Sequence, residues 1–419
     1  MQRLLKVRKI WREALSKQFA ARWLSVGLLA AAFAGPAANA QGNLHTDPLN
    51  LDPAVHEAYQ HVYMLDYDGA LNRFQKIQAG HPQDPMAVDY VLLCMAFREL
   101  YRQDLLDTTL YAHEGFLTSK RVAVEDPAIR SQIENLANQA ISLSDGRIRS
   151  NSRDKDAYFT RSYARAIHAA YIGMADHSFV SGLHQALQAK DDSKKALQID
   201  PQYADAKMVV GIYEFSVASL PGFLRFAAGM FGQSGSKEDG LKLLHESADH
   251  GTITPVESRT TLTIFLRHDA RYQEALAMQH GLSDDYPHNY LFRLEEGNLT
   301  KDMGNGPKAI AVYKAVIADG AKKNYFVDPR LQMAWFGLAE TERGQNHLGE
   351  AADAYLQTAA QPKCSDWLRK RAQLNAGEML DLLHERNQAV VQYRAAAGAS
   401  DSAVSGPAKQ YLKTAYAGK

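Results

Sequence analysis

The sequence predicts an all-α fold, a right-handed superhelical solenoid built of helical hairpins. Three observations predict it. Ala275 and Ala309 lie one repeat length apart, and each opens a helix that follows a shorter helix and a Gly-bearing or Asp-bearing turn. A small residue recurs, with an aromatic or large residue one turn on and another small residue a turn later, the spacing that sets three side chains on one helix face. No stretch of useful length alternates apolar and polar residues as a strand would.

Taken in order, the chain opens on a basic leader with Arg3, Lys6, Arg8, Lys9, Arg12, Lys17 and Arg22. Leu24 to Ala34 follow as a short apolar core, and Ala38-Asn39-Ala40 supplies small residues before Gln41. This is the three-part layout of a secretory signal peptide spanning 1–40 with cleavage after Ala40, and its apolar core is short for a bilayer. An uncleaved anchor and an amphipathic N-terminal helix are the rival readings. The expected location is an exported compartment, most simply a bacterial periplasm. Lys and Arg total 47, as do Asp and Glu, and 46% of the 419 residues are hydrophobic, a balance that fits a globular chain with a substantial core. With zero formal net charge and no basic block after the leader, nucleic acid and an anionic membrane surface are disfavoured as main partners. Cys94 sits in an apolar run and Cys364 in a loop-like Gln361-Pro362-Lys363-Cys364-Ser365 stretch, which predicts two free thiols, only the first of them buried.

From 41 to 150 the helices are expected to be degenerate repeats, with a separate helical module as the alternative. Met86 to Tyr101, Gln103 to Leu117, Pro127 to Ser144 and Lys155 to Met174 read as helices, broken at Ser144-Asp145-Gly146 and again from Arg149 to Arg153. The solenoid proper is placed at 151–404. Seven second helices carry the three-residue face: Ala70, Phe74, Ile77; Ala189, Ser193, Ala196; Gly240, Leu244, Ser247; Ala275, Gln279, Leu282; Ala309, Tyr313, Val316; Ala351, Tyr355, Thr358; and Ala389, Tyr393, Ala396. Gly211, Gly297, Gly337 and Gly377 lie inside the preceding helices, where an isolated Gly costs on the order of 1 kcal/mol relative to Ala. Their recurrence implies close helix crossings, with the facing Ala filling the gap. Gly337 to Ala351 is longer than its counterparts, which predicts an enlarged turn around Gln345 to Gly349. The tail 405–419, with Pro407 opening a helix, is expected to cap the stack.

This pattern resembles the tetratricopeptide repeat. The order Leu-Pro-Gly-Phe-Leu-Arg, Lys237-Glu238-Asp239-Gly240-Leu241, Arg271-Tyr272-Gln273-Glu274-Ala275-Leu276 and Asp285-Tyr286-Pro287-His288-Asn289 looks like exported bacterial tetratricopeptide proteins. In layout it is also similar to the tetratricopeptide-repeat-39 and inclusion-body-clearance group. The resemblance covers roughly Tyr203 to Tyr393 and implies a helical repeat that binds proteins, without a defined reaction.

An apolar insertion at 219–236 interrupts one hairpin. It is expected either to pack on adjacent repeats or, through Phe223, Leu224 and Phe226, to meet a partner; membrane contact through Leu220 to Phe231 is the third reading. Conventional stacking sets Leu294, Asn298 and Lys301, Leu338 and Thr341, and Glu378 and Asp381 on the concave face, a strip suited to an extended peptide or a partner helix. Burial of that strip by the long N-terminal helices is the rival explanation. Catalytic signals are thin. His245-Glu246 and His250 have neither HExxH spacing nor a third ligand, and Gly232-Gln233-Ser234-Gly235 lacks the form of a nucleophile elbow. The expectation is therefore a non-catalytic periplasmic scaffold with no cofactor and no metal. A membrane-associated envelope organiser is the alternative, and an enzyme on a helical repeat a weaker one.

Overall fold

A computed structural model describes residues 45–106, 108, 126–175, 179–219 and 234–418. The expected signal peptide, most of the expected helix from Gln103 to Leu117, and Leu220 to Phe231 of the apolar insertion lie outside the described residues. Among the described residues there are seventeen α-helices and no strand.

In chain order they are α1 (Pro53–Tyr63), α2 (Tyr67–Gly80), α3 (Pro85–Arg102), α4 (Pro127–Ser150), α5 (Lys155–Met174), α6 (Phe179–Ile199), α7 (Ala204–Ala218) and α8 (Lys237–His250). There follow α9 (Pro255–His268), α10 (Tyr272–Asp285), α11 (Tyr290–Asp302), α12 (Gly306–Gly320), α13 (Gln332–Gly344), α14 (Leu348–Ala360), α15 (Asp366–Leu382), α16 (Arg386–Ala396) and α17 (Ser402–Lys413). Short polar caps start many of them. The carboxylates of Asp52, Asp126 and Asp154 accept from backbone N–H groups in the first turns of α1, α4 and α5, with Pro53 and Pro127 at positions whose missing N–H costs nothing.

The chain divides into two compact units. One comprises Met1–Leu100 and Glu125–Ala270, the other Tyr101–Val124 and Arg271–Lys419. The first unit pairs α1 with α2, α4 with α5, α5 with α6, and α7 with α8; the second stacks α10 to α17 each upon the next.

Every residue of the seven expected three-residue faces is buried, from Ala70, Phe74 and Ile77 through Ala389, Tyr393 and Ala396. In α12 and α16 these three supply nearly all of the buried side chains, so the remaining faces stay solvated. The hairpin turns share one geometry. Leu65, Gly304, Asn346 and His384 each take a positive φ one residue past the helix cap. The next residue's N–H then donates back five positions, as Asp66 to His61, Asn305 to Thr300, His347 to Glu342 and Glu385 to Leu380. Only one of the four is Gly, so this turn signal is mostly invisible in composition.

Several expectations need correction. The Gly residues of α11, α13 and α15 face tyrosines rather than alanines. A Cβ on Gly297 would lie 2.9 Å, and one on Gly337 2.6 Å, from the Tyr313 ring, while one on Gly377 would lie 2.5 Å from Tyr393. Gly211 and Gly240 do mark a close backbone crossing, each facing the other's carbonyl. The turn before α14 is not enlarged: Gln345 to His347 matches Met303 to Asn305 and Leu383 to Glu385, and the additional residues lengthen the end of α13 instead. α4 runs through the expected break at Ser144-Asp145-Gly146, where Ser144 turns its hydroxyl to the Ala140 carbonyl and Thr160. Gln103 and Asp104 form a turn, and Leu105 and Leu106 follow without regular structure, in place of the start of a helix. Pro407 lies inside α17 rather than opening it, and the helix ends at Lys413. Cys364 is buried like Cys94, and burial pushes its thiol up to about 12.

Candidate functional site: the inner face of the second unit

The first helices α11, α13 and α15 of the second unit carry the expected concave strip, and most of it is turned into the fold. Leu294 and Leu338 are buried. Asn298 accepts from the Tyr313 hydroxyl at 2.7 Å and donates to Glu295 at 3.0 Å. Thr341 donates to the Gly337 carbonyl at 2.7 Å. Glu378 pairs with Arg343 at 3.0 Å. Asp381 accepts from Tyr393 at 2.9 Å, from Arg386 at 2.9 Å and from the Tyr416 backbone at 2.7 Å. Lys301 is half-buried at the rim. Phe223, Leu224 and Phe226 lie outside the described residues.

These contacts follow a rule. A buried tyrosine needs a partner for its hydroxyl. Tyr313, Tyr355 and Tyr393 find theirs on the first helix of their own hairpin, at Asn298, Glu340 and Asp381.

Alongside these helices runs a stretch of chain that belongs to the same unit, beginning at the last residues of α3. Tyr101 lies with its ring centroid 6.5 Å from that of Tyr290, and its hydroxyl donates to the Asp328 carbonyl at 2.5 Å. The Arg102 carbonyl accepts from the Arg330 guanidinium at 2.6 Å, and the Gln103 carbonyl accepts from the Trp367 indole at 2.9 Å. Asp104 turns the chain at φ 58°. Its carboxylate accepts from Gln332 at 2.5 Å, from Arg330 at 3.3 Å and from the Ser365 backbone N–H at 2.9 Å. Thr108 donates to Glu295. Burial raises the Asp104 carboxyl above its ordinary value, opposed by the Arg330 charge and the hydrogen bonds from Ser365 and Gln332.

Sequence reasoning missed this cluster. Asp104 and Arg330 are 226 positions apart, and no helical period links them. An Asp after a helix end and an Arg before a helix start are ordinary surface features until the fold joins them.

Within the second unit, residues 101–104 of the chain are thus held through main-chain carbonyls, an aromatic ring and a carboxylate. Among the described residues no group of three or more His, Cys, Asp or Glu side chains could hold a metal ion, and no helix is long and apolar enough to cross a membrane.

Stacked hairpins with small and aromatic residues at fixed positions and a common left-handed turn define a tetratricopeptide-like helical repeat protein. No family model and no curated protein matches the chain. Among solved structures it is similar to a tetratricopeptide repeat protein from Parabacteroides merdae, at 11% identity over 77% of this chain and 97% of that one, with a TM-score of 0.34. Human IFIT1 bound to PPP-AAAA shares 12% identity over 90% of this chain and 80% of its own, with a TM-score of 0.41. Yeast Tom70 shares 16% identity over 99% and 77%, with a TM-score of 0.35. At this distance the repeat class rests on the hairpin geometry itself.

Proposed function

We propose that the protein is a non-catalytic scaffold that holds protein partners, with an extended peptide or a partner helix received on the inner face of its repeats. One observation supports this reading: in the second unit the chain's own residues 102–104 are held by Arg330 and Trp367 on main-chain carbonyls and by Arg330, Gln332 and Ser365 on a carboxylate. Such main-chain contacts suit a surface that reads peptides. In this reading Leu294, Asn298, Leu338, Thr341, Glu378 and Asp381 form the floor that sets the spacing of the face, and Lys301 its rim. The basic leader and the Ala38-Asn39-Ala40 site support export to a periplasm as part of the proposal.

The test is chemical crosslinking in cells followed by purification of the tagged full chain. A stoichiometric protein partner crosslinked to α11, α13 or α15 is the expected result. A chain recovered alone, together with reproducible turnover in an unbiased metabolite screen, sinks the scaffold reading. N-terminal sequencing of the recovered protein, expected to begin at Gln41, tests export.

A further inference from the structure

The stretch from Tyr101 to Leu106 meets the second unit as a bound peptide would. Three successive first-helix regions receive it: Tyr290 of α11, the loop Asp328 to Gln332 that leads into α13, and the loop Lys363 to Trp367 that leads into α15. Its side chains divide by chemistry. Tyr101 stands beside Tyr290 and under the Arg330 guanidinium, 5.6 Å from the ring centroid. Asp104 takes three donors, and Leu105 and Leu106 are only 1% and 5% exposed. None of these residues belongs to the small-and-aromatic faces that pack hairpin on hairpin, so the repeats keep their own core without them.

We propose that this face is a recognition surface for a peptide carrying an aromatic residue, an aspartate three positions later and two leucines after it. The chain's own Tyr101–Leu106 is its resident occupant, and a partner segment of the same pattern takes its place. The proposal rests on the scaffold reading above and names the ligand of that site.

Physical chemistry makes the occupant releasable. Asp104 holds a left-handed conformation that a residue with a Cβ adopts at a cost. The Asp104–Arg330 pair is buried, and such a pair loses in desolvation much of what its attraction supplies. On release both charges and the carbonyls of Arg102 and Gln103 return to water. A free peptide of matching pattern makes the same contacts, with competition set by the effective concentration of the tethered segment.

Amide hydrogen exchange on the full chain tests release directly. The Ser365 amide and those of residues 101–106 are expected to exchange about tenfold or more faster than amides in the middle of α13 and α15, as a local opening does. Exchange of both sets together, only on global unfolding, overturns the proposal and makes the segment a fixed strut. The second arm uses a fluorescent peptide with the sequence of residues 99–108. Full-length Tyr101→Ala, whose own segment is loosened while the receiving side is intact, is expected to bind it at least about tenfold more tightly than the wild type. Asp104→Asn serves as a second variant that preserves side-chain shape, and a peptide with Ala at the aspartate position is the control that must not bind. Wild-type circular dichroism in either variant with no gain in peptide affinity also overturns the proposal. A partner captured on the inner face while both arms fail leaves the scaffold standing and removes only this ligand.

Discussion

The two units treat buried polar groups differently. In the second unit the tyrosines and several acids come in matched sets, Asn298 with Tyr313, Glu340 with Tyr355, Asp381 with Tyr393 and Arg386, Glu378 with Arg343, while Gln279, Ser283 and Asn289 each keep one buried atom without a hydrogen bond. In the first, carboxylates gather among tyrosines. Asp205 is served by the backbone N–H groups of Thr252, Ile253 and Thr254 and by the hydroxyls of Thr254 and Thr46. Asp89 has no hydrogen-bond partner on either oxygen, and Glu257 has none on one. Burial holds the Asp89 and Glu257 carboxyls well above the ordinary range, with no cation among the causes. An acid that stays protonated in the fold needs no counter-charge. The difference teaches that repetition gives each of these buried tyrosines a partner within its own hairpin, whereas the irregular unit gathers five donors on Asp205 and leaves Asp89 with none.

Concentration makes single residues costly, and the largest effect should come from Asp205→Ala. It strands three buried N–H donors and should lower stability by about 3–5 kcal/mol in chemical denaturation. Its counterpart Asp381→Ala should cost less and fray α17 selectively, visible as fast amide exchange confined to the C-terminal helix. Equal losses in the two variants would remove the contrast between the units.

Glycine substitutions sharpen the picture of the second unit. Gly337→Ala and Gly377→Ala force a methyl against Tyr313 and Tyr393 and should each cost about 1–3 kcal/mol. Gly344→Ala, with open space around it, should be neutral or slightly stabilising in the same assay.

A smaller, pH-dependent effect belongs to the first unit. Asp47 is raised to about 6 by burial and by Asp84, and burial raises Asp89 well above its ordinary value, so the folded state holds more protons than the unfolded chain. The stabilisation is complete below the unfolded carboxylate value of about 4 and is lost as pH rises through the folded values. The melting temperature should therefore fall as pH rises from 4 through 6, and Asp89→Asn should make that fall shallower. Smallest of all is Arg271→Ala. Its partner Glu274 is 57% exposed, and the change should stay within about 0.5 kcal/mol by thermal melting.

Much of the fold was legible because its signals are local. Ala309, Tyr313 and Val316 share a face by helix period alone, and their burial follows once hairpins stack. The partner of Gly337 was not legible, since Tyr313 reaches it from the hairpin before. Nor was the site: Tyr101, Asp104, Arg330 and Trp367 meet only through tertiary closure, and in sequence Gln103 looked like the start of a helix. The expected concave strip lies on α11, α13 and α15, yet a helix count does not reveal that Asn298, Thr341 and Asp381 make their hydrogen bonds inward.

Tyr313 has a mechanical consequence. Its ring lies between the bare backbones of Gly297 and Gly337, and its hydroxyl is fastened to Asn298. The ring is thus a fixed shim whose thickness sets the gap between two neighbouring first helices, and a pull that bends the stack must compress or tilt it. Tyr313→Phe keeps the shim but unfastens it, so this joint would become the compliant one in an otherwise stiff spring.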